Sequence, residues 1–86
     1  MPRISAFYGI SIFIYYKDHL PPHVHAVYGD SEAAIEISAG YVLNGRLPNR
    51  AAKLVATWLV THRAEVMNAW NLAVASQPLV QVPPLI

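Results

Sequence analysis

The chain is predicted to fold as an α+β domain: a small, mainly antiparallel β-sheet over residues 3–44, two C-terminal helices over residues 49–61 and 62–75, and an extended tail. Three observations predict this class. Apolar side chains alternate in the first half, recur at helical spacing in the second, and give way to a proline-punctuated end.

A short strand over residues 4–7 comes first, and Gly9 marks the turn or bulge after it. Ile10, Ile12, Ile14 and Tyr16 then alternate with Ser11, Phe13 and Tyr15, a β-branched and aromatic period of two. Residues 24–28 and 32–37 flank Gly29-Asp30-Ser31, a hairpin signal. With Gly29-Asp30 as a two-residue loop, Tyr28 faces Ser31, His25 faces Ala34, Val24 faces Ile35 and His23 faces Glu36. One face of the hairpin then carries Val24, Ala26, Tyr28, Ala33, Ile35 and Ile37. The other carries His23, His25, Val27, Glu32, Ala34 and Glu36. A slip of one residue would mix the apolar and polar sets, so the pattern specifies the register. A further strand over residues 41–43 ends at an Asn44-Gly45 turn.

Pro48 and Asn49 open the helical half, proline suiting a first turn and asparagine a cap. Ala51, Leu54, Val55, Trp58, Leu59 and His62 form an amphipathic stripe, which Val66, Ala69, Trp70 and Ala73 repeat. One straight helix over residues 49–75 would be about 40 Å long at 1.5 Å per residue. A domain of this length is only about 30 Å across, which predicts a break near Thr61-His62-Arg63 with Thr61 as the cap. Pro78, Pro83 and Pro84, interleaved with Leu79, Val80, Val82, Leu85 and Ile86, forbid a helix in the tail. An extended segment packed on the domain or on a neighbour is expected instead.

Eighty-six residues make one domain, with 55% hydrophobic and only 13% charged residues. That balance excludes disorder and points to an adhesive surface, with oligomerisation or a protein partner to cover it. Five tyrosines in so short a chain point the same way. The net charge is +1 and no basic run is visible, which argues against duplex DNA as a partner. The absence of cysteine removes disulfides, thiolate metal sites and a thiol nucleophile together. With neither a signal peptide nor a membrane-spanning run of about 20 apolar residues, a cytoplasmic location is expected.

Asp18-His19-Leu20-Pro21-Pro22-His23-Val24-His25 concentrates three of the four histidines beside a carboxylate and two consecutive prolines. Proline stiffens the loop, and rigid loops that present polar side chains are where binding and chemistry concentrate. Three chemistries are open to it. His19, His23 and His25 supply three imidazoles for a divalent ion such as zinc, with Asp18 or Glu36 orienting a ligand ring. Alternatively His23 and His25 act without metal as base and acid, in RNA cleavage for instance, beside Glu36 and with Lys17 or Arg46 stabilising a phosphate. Or the rings bond backbone carbonyls and only hold the loop's shape. Convergence of the imidazoles on one cavity near Glu36 favours a site, and rings tied to carbonyls favour scaffolding. His62 lies on the apolar stripe and joins the others only if its helix packs near His23. Trp58 and Trp70 read as core aromatics.

The string Asp18-His19-x-Pro21-Pro22-His23-x-His25-Ala26, followed by Tyr28-Gly29, resembles the signature of the small bacterial domain-of-unknown-function family 4160. Pro2-x-Ile4, Phe7-x-Gly9, Gly45-x-Leu47-Pro48, Trp58, His62 and Glu65…Asn68-x-Trp70 agree with it as well, so the resemblance covers nearly the whole chain. It implies a short intracellular protein encoded beside a second small protein, as part of a toxin–antitoxin-like module. It implies no particular reaction. Acidic residues are thin in the helical half compared with that family, which leaves a more apolar surface. The expected function is therefore one half of such a pair, with the histidine loop as its active or recognition surface. The alternatives are a non-catalytic antitoxin or adaptor, and a histidine metal-binding domain.

Overall fold

The computed structural model describes residues 2–86. Five strands follow one another as a meander: β1 (Arg3–Phe7), β2 (Ile10–Phe13), β3 (His23–Tyr28), β4 (Ser31–Glu36) and β5 (Val42–Gly45). All pair antiparallel with their sequence neighbours, in the order β1-β2-β3-β4-β5. The β3–β4 register is His23↔Glu36, Val24↔Ile35, His25↔Ala34 and Tyr28↔Ser31, as the alternation requires. Gly29 takes the positive φ of the connecting turn. Ile10, Ile12, Val24, Ala26, Ala33 and Ile35 are buried on one face, which forms the sheet's half of the core. Tyr28, expected on that face, is 41% exposed because it ends its strand, against the Tyr8-Gly9 turn.

Asn44-Gly45 does not turn the chain; both residues belong to β5. A Cβ at Gly45 would run into the backbone of Glu32 and Ala33, and Gly45 sits at φ +79°. This glycine therefore permits a close strand approach rather than a reversal.

The helical half corrects three expectations. A single helix, α1 (Asn49–Val74), replaces the predicted pair. His62 departs from helical geometry (φ −116°, ψ 22°), so the chain kinks there without ending the helix. The reason lies in the stripe: Leu59 and Val66 are both buried and seven residues apart, so the apolar face crosses position 62 in phase. Thr61 caps nothing; its hydroxyl donates to the Thr57 carbonyl at 3.2 Å, as Thr57 does to Lys53 at 3.0 Å. Such back-bonding bends helices. Asn49 is not the cap either, since the N-cap position is Pro48 and carries no side-chain cap bond.

Trp58, fully buried, meets Phe7 at 5.4 Å between ring centroids and donates its Nε1–H to the Pro83 carbonyl at 2.8 Å. The tail thus packs on its own domain. Val82 N–H donates to Ile4 O at 2.8 Å, and Val82 is buried, so the tail covers the β1 edge of the sheet. The β5 edge stays open, with Val42 and Leu43 exposed. No helix among the described residues is long and apolar enough to cross a membrane.

Candidate functional site

Residues 14–22 join β2 to β3 and fold back over the start of β3, within reach of the C-terminal end of α1. Backbone bonds pin the segment: Ile14 N–H to Pro2 O at 3.2 Å, Lys17 N–H to Ala73 O at 3.4 Å, and Ile37 N–H to Pro22 O at 3.1 Å. Lys17 adopts φ +53°, an uncommon conformation for a side-chain-bearing residue, immediately before Asp18.

Asp18 organises the site. Its Oδ1 accepts the backbone N–H of His19 at 2.8 Å, which leaves Oδ2 aimed at β3. There Oδ2 meets His23 Nε2 at 3.0 Å and His25 Nε2 at 2.9 Å. Strand alternation brings both rings to one side, because His23 and His25 are two residues apart. His23 is 1% exposed, and its ring lies 5.3 Å from Trp70 and 4.9 Å from His25. His25 stacks on Tyr15, with centroids 4.0 Å apart and planes 19° from parallel.

The proton inventory of His23 is constrained. Its Nδ1 lies 2.7 Å from the Pro21 carbonyl oxygen, which only accepts, so Nδ1–H is the donor. A neutral ring then offers a lone pair at Nε2, directed at a carboxylate oxygen that is also an acceptor. The contact is attractive only with a proton or a metal ion between these two acceptors. Burial pushes the Asp18 carboxyl upward, but the hydrogen bond to His25, the His19 amide and the charges of both imidazoles outweigh it and hold the group below its usual value. Tyr15 moves the opposite way, raised by burial and then by the carboxylates of Glu32 and Asp18.

The other candidates fall outside this cluster. His19 is 82% exposed on its side chain; its Nδ1 lies 3.3 Å from Leu20 O and its Nε2 3.7 Å from Asp18 Oδ1. Glu36 sits opposite His23 in the ladder, but its carboxylate accepts the Ser38 hydroxyl at 2.9 Å. His62 pairs with Glu65 at 2.8 Å, beside Trp58 at 6.0 Å, and stays with the helix. Lys17 and Arg46 are exposed. The imidazoles therefore both converge and touch carbonyls: His23 does the two at once, through opposite nitrogens.

Sequence reasoning gave Asp18 an outer, orienting part, whereas three contacts make it the hub. Tyr15, Trp70 and Glu32 were not assigned to the site at all. Glu32 Oε2 stands 3.8 Å from His25 Nδ1 and lines a cavity of about 220 Å³ with His25, Ala34 and Asn44. Its place was legible, since Glu32 is the diagonal neighbour of His25 once the hairpin register is known. Trp70 was not, because only the packing of helix on sheet brings it to His23.

No curated protein and no solved structure matches the chain. A family profile does, over residues 9–71, a stretch that holds the whole histidine loop and the helix as far as Trp70. On that match, the chain belongs to the family described as domain of unknown function (DUF4160).

Proposed function

We propose that this protein is the acting member of a toxin–antitoxin-like pair and that the Asp18–His23–His25 cluster is the centre with which it acts, on RNA phosphodiesters. The observation that carries the reading is the convergence of two imidazole Nε2 atoms on one carboxylate oxygen. Burying a ring to 1% exposure against a carboxylate costs desolvation, and a domain of this size has little stability in reserve. Polar clusters that break the apolar pattern at such a cost mark working sites. Phosphodiester cleavage builds negative charge on the phosphate, which a proton donor or a cation at such a centre stabilises.

The roles inside the centre differ from a simple acid–base pair. Both nitrogens of His23 are engaged and its ring is sealed from solvent, so it cannot exchange protons with a substrate. It holds Asp18 in place, and the accessible side of the centre lies at His25 and His19. Expression of the parent, Asp18→Asn and His25→Ala chains in a bacterial host tests the reading, with growth and RNA integrity as readouts. Growth arrest and RNA decay are expected for the parent alone. Undiminished arrest in both variants would remove the centre from the mechanism.

A second reading has one observation in its favour. Among the described residues no strand pairs with the outer edge of β5, which shows exposed Val42 and Leu43, the kind of surface on which a partner strand adds. A non-catalytic antitoxin or adaptor would use that edge, with a second small protein or another copy of the chain as partner. A harmless parent chain that co-purifies with its neighbour-encoded protein would favour it.

A further inference from the structure

We propose that Asp18, His23 and His25 form a binding site for a divalent first-row transition-metal ion, the ion taking the place between His23 Nε2 and the Asp18 carboxylate that a proton otherwise fills. The proposal rests on the reading of this cluster as the working centre, and it deepens that reading by naming the cofactor class. Three donor atoms, one from each residue, lie within 4.8 Å of one another. The two nitrogens stand 3.0 and 2.9 Å from Asp18 Oδ2. Atoms bonded to one ion at about 2.1 Å, with angles of 90–109°, lie about 3.0–3.4 Å apart, so these contacts are already near the spacing of a shared ion.

The far sides of the rings supply the independent argument. A metal-ligating imidazole binds through one nitrogen and donates the other N–H to a carbonyl or carboxylate, which fixes its tautomer and its tilt. His23 has that partner in the Pro21 carbonyl, 2.7 Å from Nδ1. His25 has the Glu32 carboxylate, 3.8 Å from Nδ1, one small side-chain movement from a hydrogen bond. Both rings thus present Nε2 to the same point with an oxygen acceptor behind Nδ1. A scaffold needs only one bond per ring and no common focus.

The rings are also held before any ion arrives. Trp70 lies against His23 and Tyr15 stacks on His25, so little side-chain freedom is lost on binding. Two imidazoles and one carboxylate select ions of the zinc, cobalt and nickel type over magnesium and calcium, which take oxygen ligands. Three protein ligands would leave at least one position for water or a phosphodiester oxygen.

The test is a titration of untagged, chelator-stripped protein with Co²⁺ and Zn²⁺. One Co²⁺ per chain is expected, with visible ligand-field absorption and a Kd of about 10 μM or tighter. Zinc should displace the cobalt and raise the melting temperature, whereas Mg²⁺ and Ca²⁺ should do neither. His25→Ala and Asp18→Asn, checked for folding by far-UV circular dichroism, should bind at least about 100-fold more weakly. His62→Ala should bind as the parent does. Absence of cobalt absorption in the folded parent, or equal affinity in folded His25→Ala and Asp18→Asn, would overturn the proposal. Metal binding without RNA cleavage would sustain this site and sink the RNA reading. Cleavage that persists in chelator, with no ion bound, would do the reverse.

Discussion

Removing the Asp18 carboxylate should destabilise the fold in a way that a neutral amide at the same place does not. In Asp18→Ala, His23 keeps its Pro21 bond but its Nε2 is stranded at a position 1% exposed. An unsatisfied buried group of this kind costs about 1–3 kcal/mol. His25, 16% exposed on its side chain, loses a charge-assisted bond worth about 1 kcal/mol more, while water can replace the partner of the exposed His19 amide. The sum is about 2–4 kcal/mol, a large share of the 5–15 kcal/mol that holds a domain of this kind together. Asp18→Asn keeps the shape, and its amide N–H can donate to the His23 Nε2 lone pair, so its cost should stay below about 1 kcal/mol. Urea unfolding followed by the fluorescence of Trp58 and Trp70, at pH 7 in chelator, measures both. The pH dependence has a defined sign. Because Asp18 is held below its ordinary pKa in the folded chain, its contribution is present above the unfolded value of about 4 and lost as pH falls through the folded one. The parent should therefore lose stability more steeply than Asp18→Asn between about pH 5 and 2. An alanine variant within about 0.5 kcal/mol of the parent, or an asparagine variant as damaged as alanine, would refute this account of the cluster.

Three further outcomes follow from the packing. Trp58→Phe keeps an aromatic ring in the core but loses the bond to Pro83, which should cost about 1–2 kcal/mol and speed proteolysis of the tail; unchanged cleavage rates would show that the bond does not hold the tail. Gly45→Ala combines a backbone collision at Glu32 with a positive φ, and thermal melting should show a loss of at least about 1–3 kcal/mol. His62→Ala removes the bond to Glu65 and a ring only 15% exposed, 6.0 Å from that of Trp58, so thermal melting should show a loss of about 1–2 kcal/mol while growth arrest stays unaltered.

The sequence determined most of the sheet. Alternation in residues 24–37, with Gly29-Asp30 between the hairpin strands, leaves one register that separates apolar from polar residues, and the ladder has it; the alternation over residues 10–16 marked β2, although that strand ends at Phe13. It also determined that His23 and His25 share a face, because that follows from a period of two. Strand five and the helix were less legible for a local reason. Gly45 read as a turn because glycine serves turns and close contacts alike, and only the position of Glu32 shows which one applies here. Length argued for two helices, yet Leu59 and Val66 stay in phase across His62, and the sheet beneath rewards one bent helix over two.

The centre itself was decided by tertiary structure. Composition placed titratable groups in the loop, but the hub is Asp18, whose side-chain direction depends on how the loop folds back over β3. The burial of His23 needs Trp70, 47 positions further along the chain, and Glu36, although opposite His23 in the ladder, bonds Ser38 outside the cluster. Periodicity reports which side of an element a residue occupies, since that is a property of the backbone repeat. Which atoms then meet, and what charge must lie between them, depends on distances between segments that no local pattern encodes.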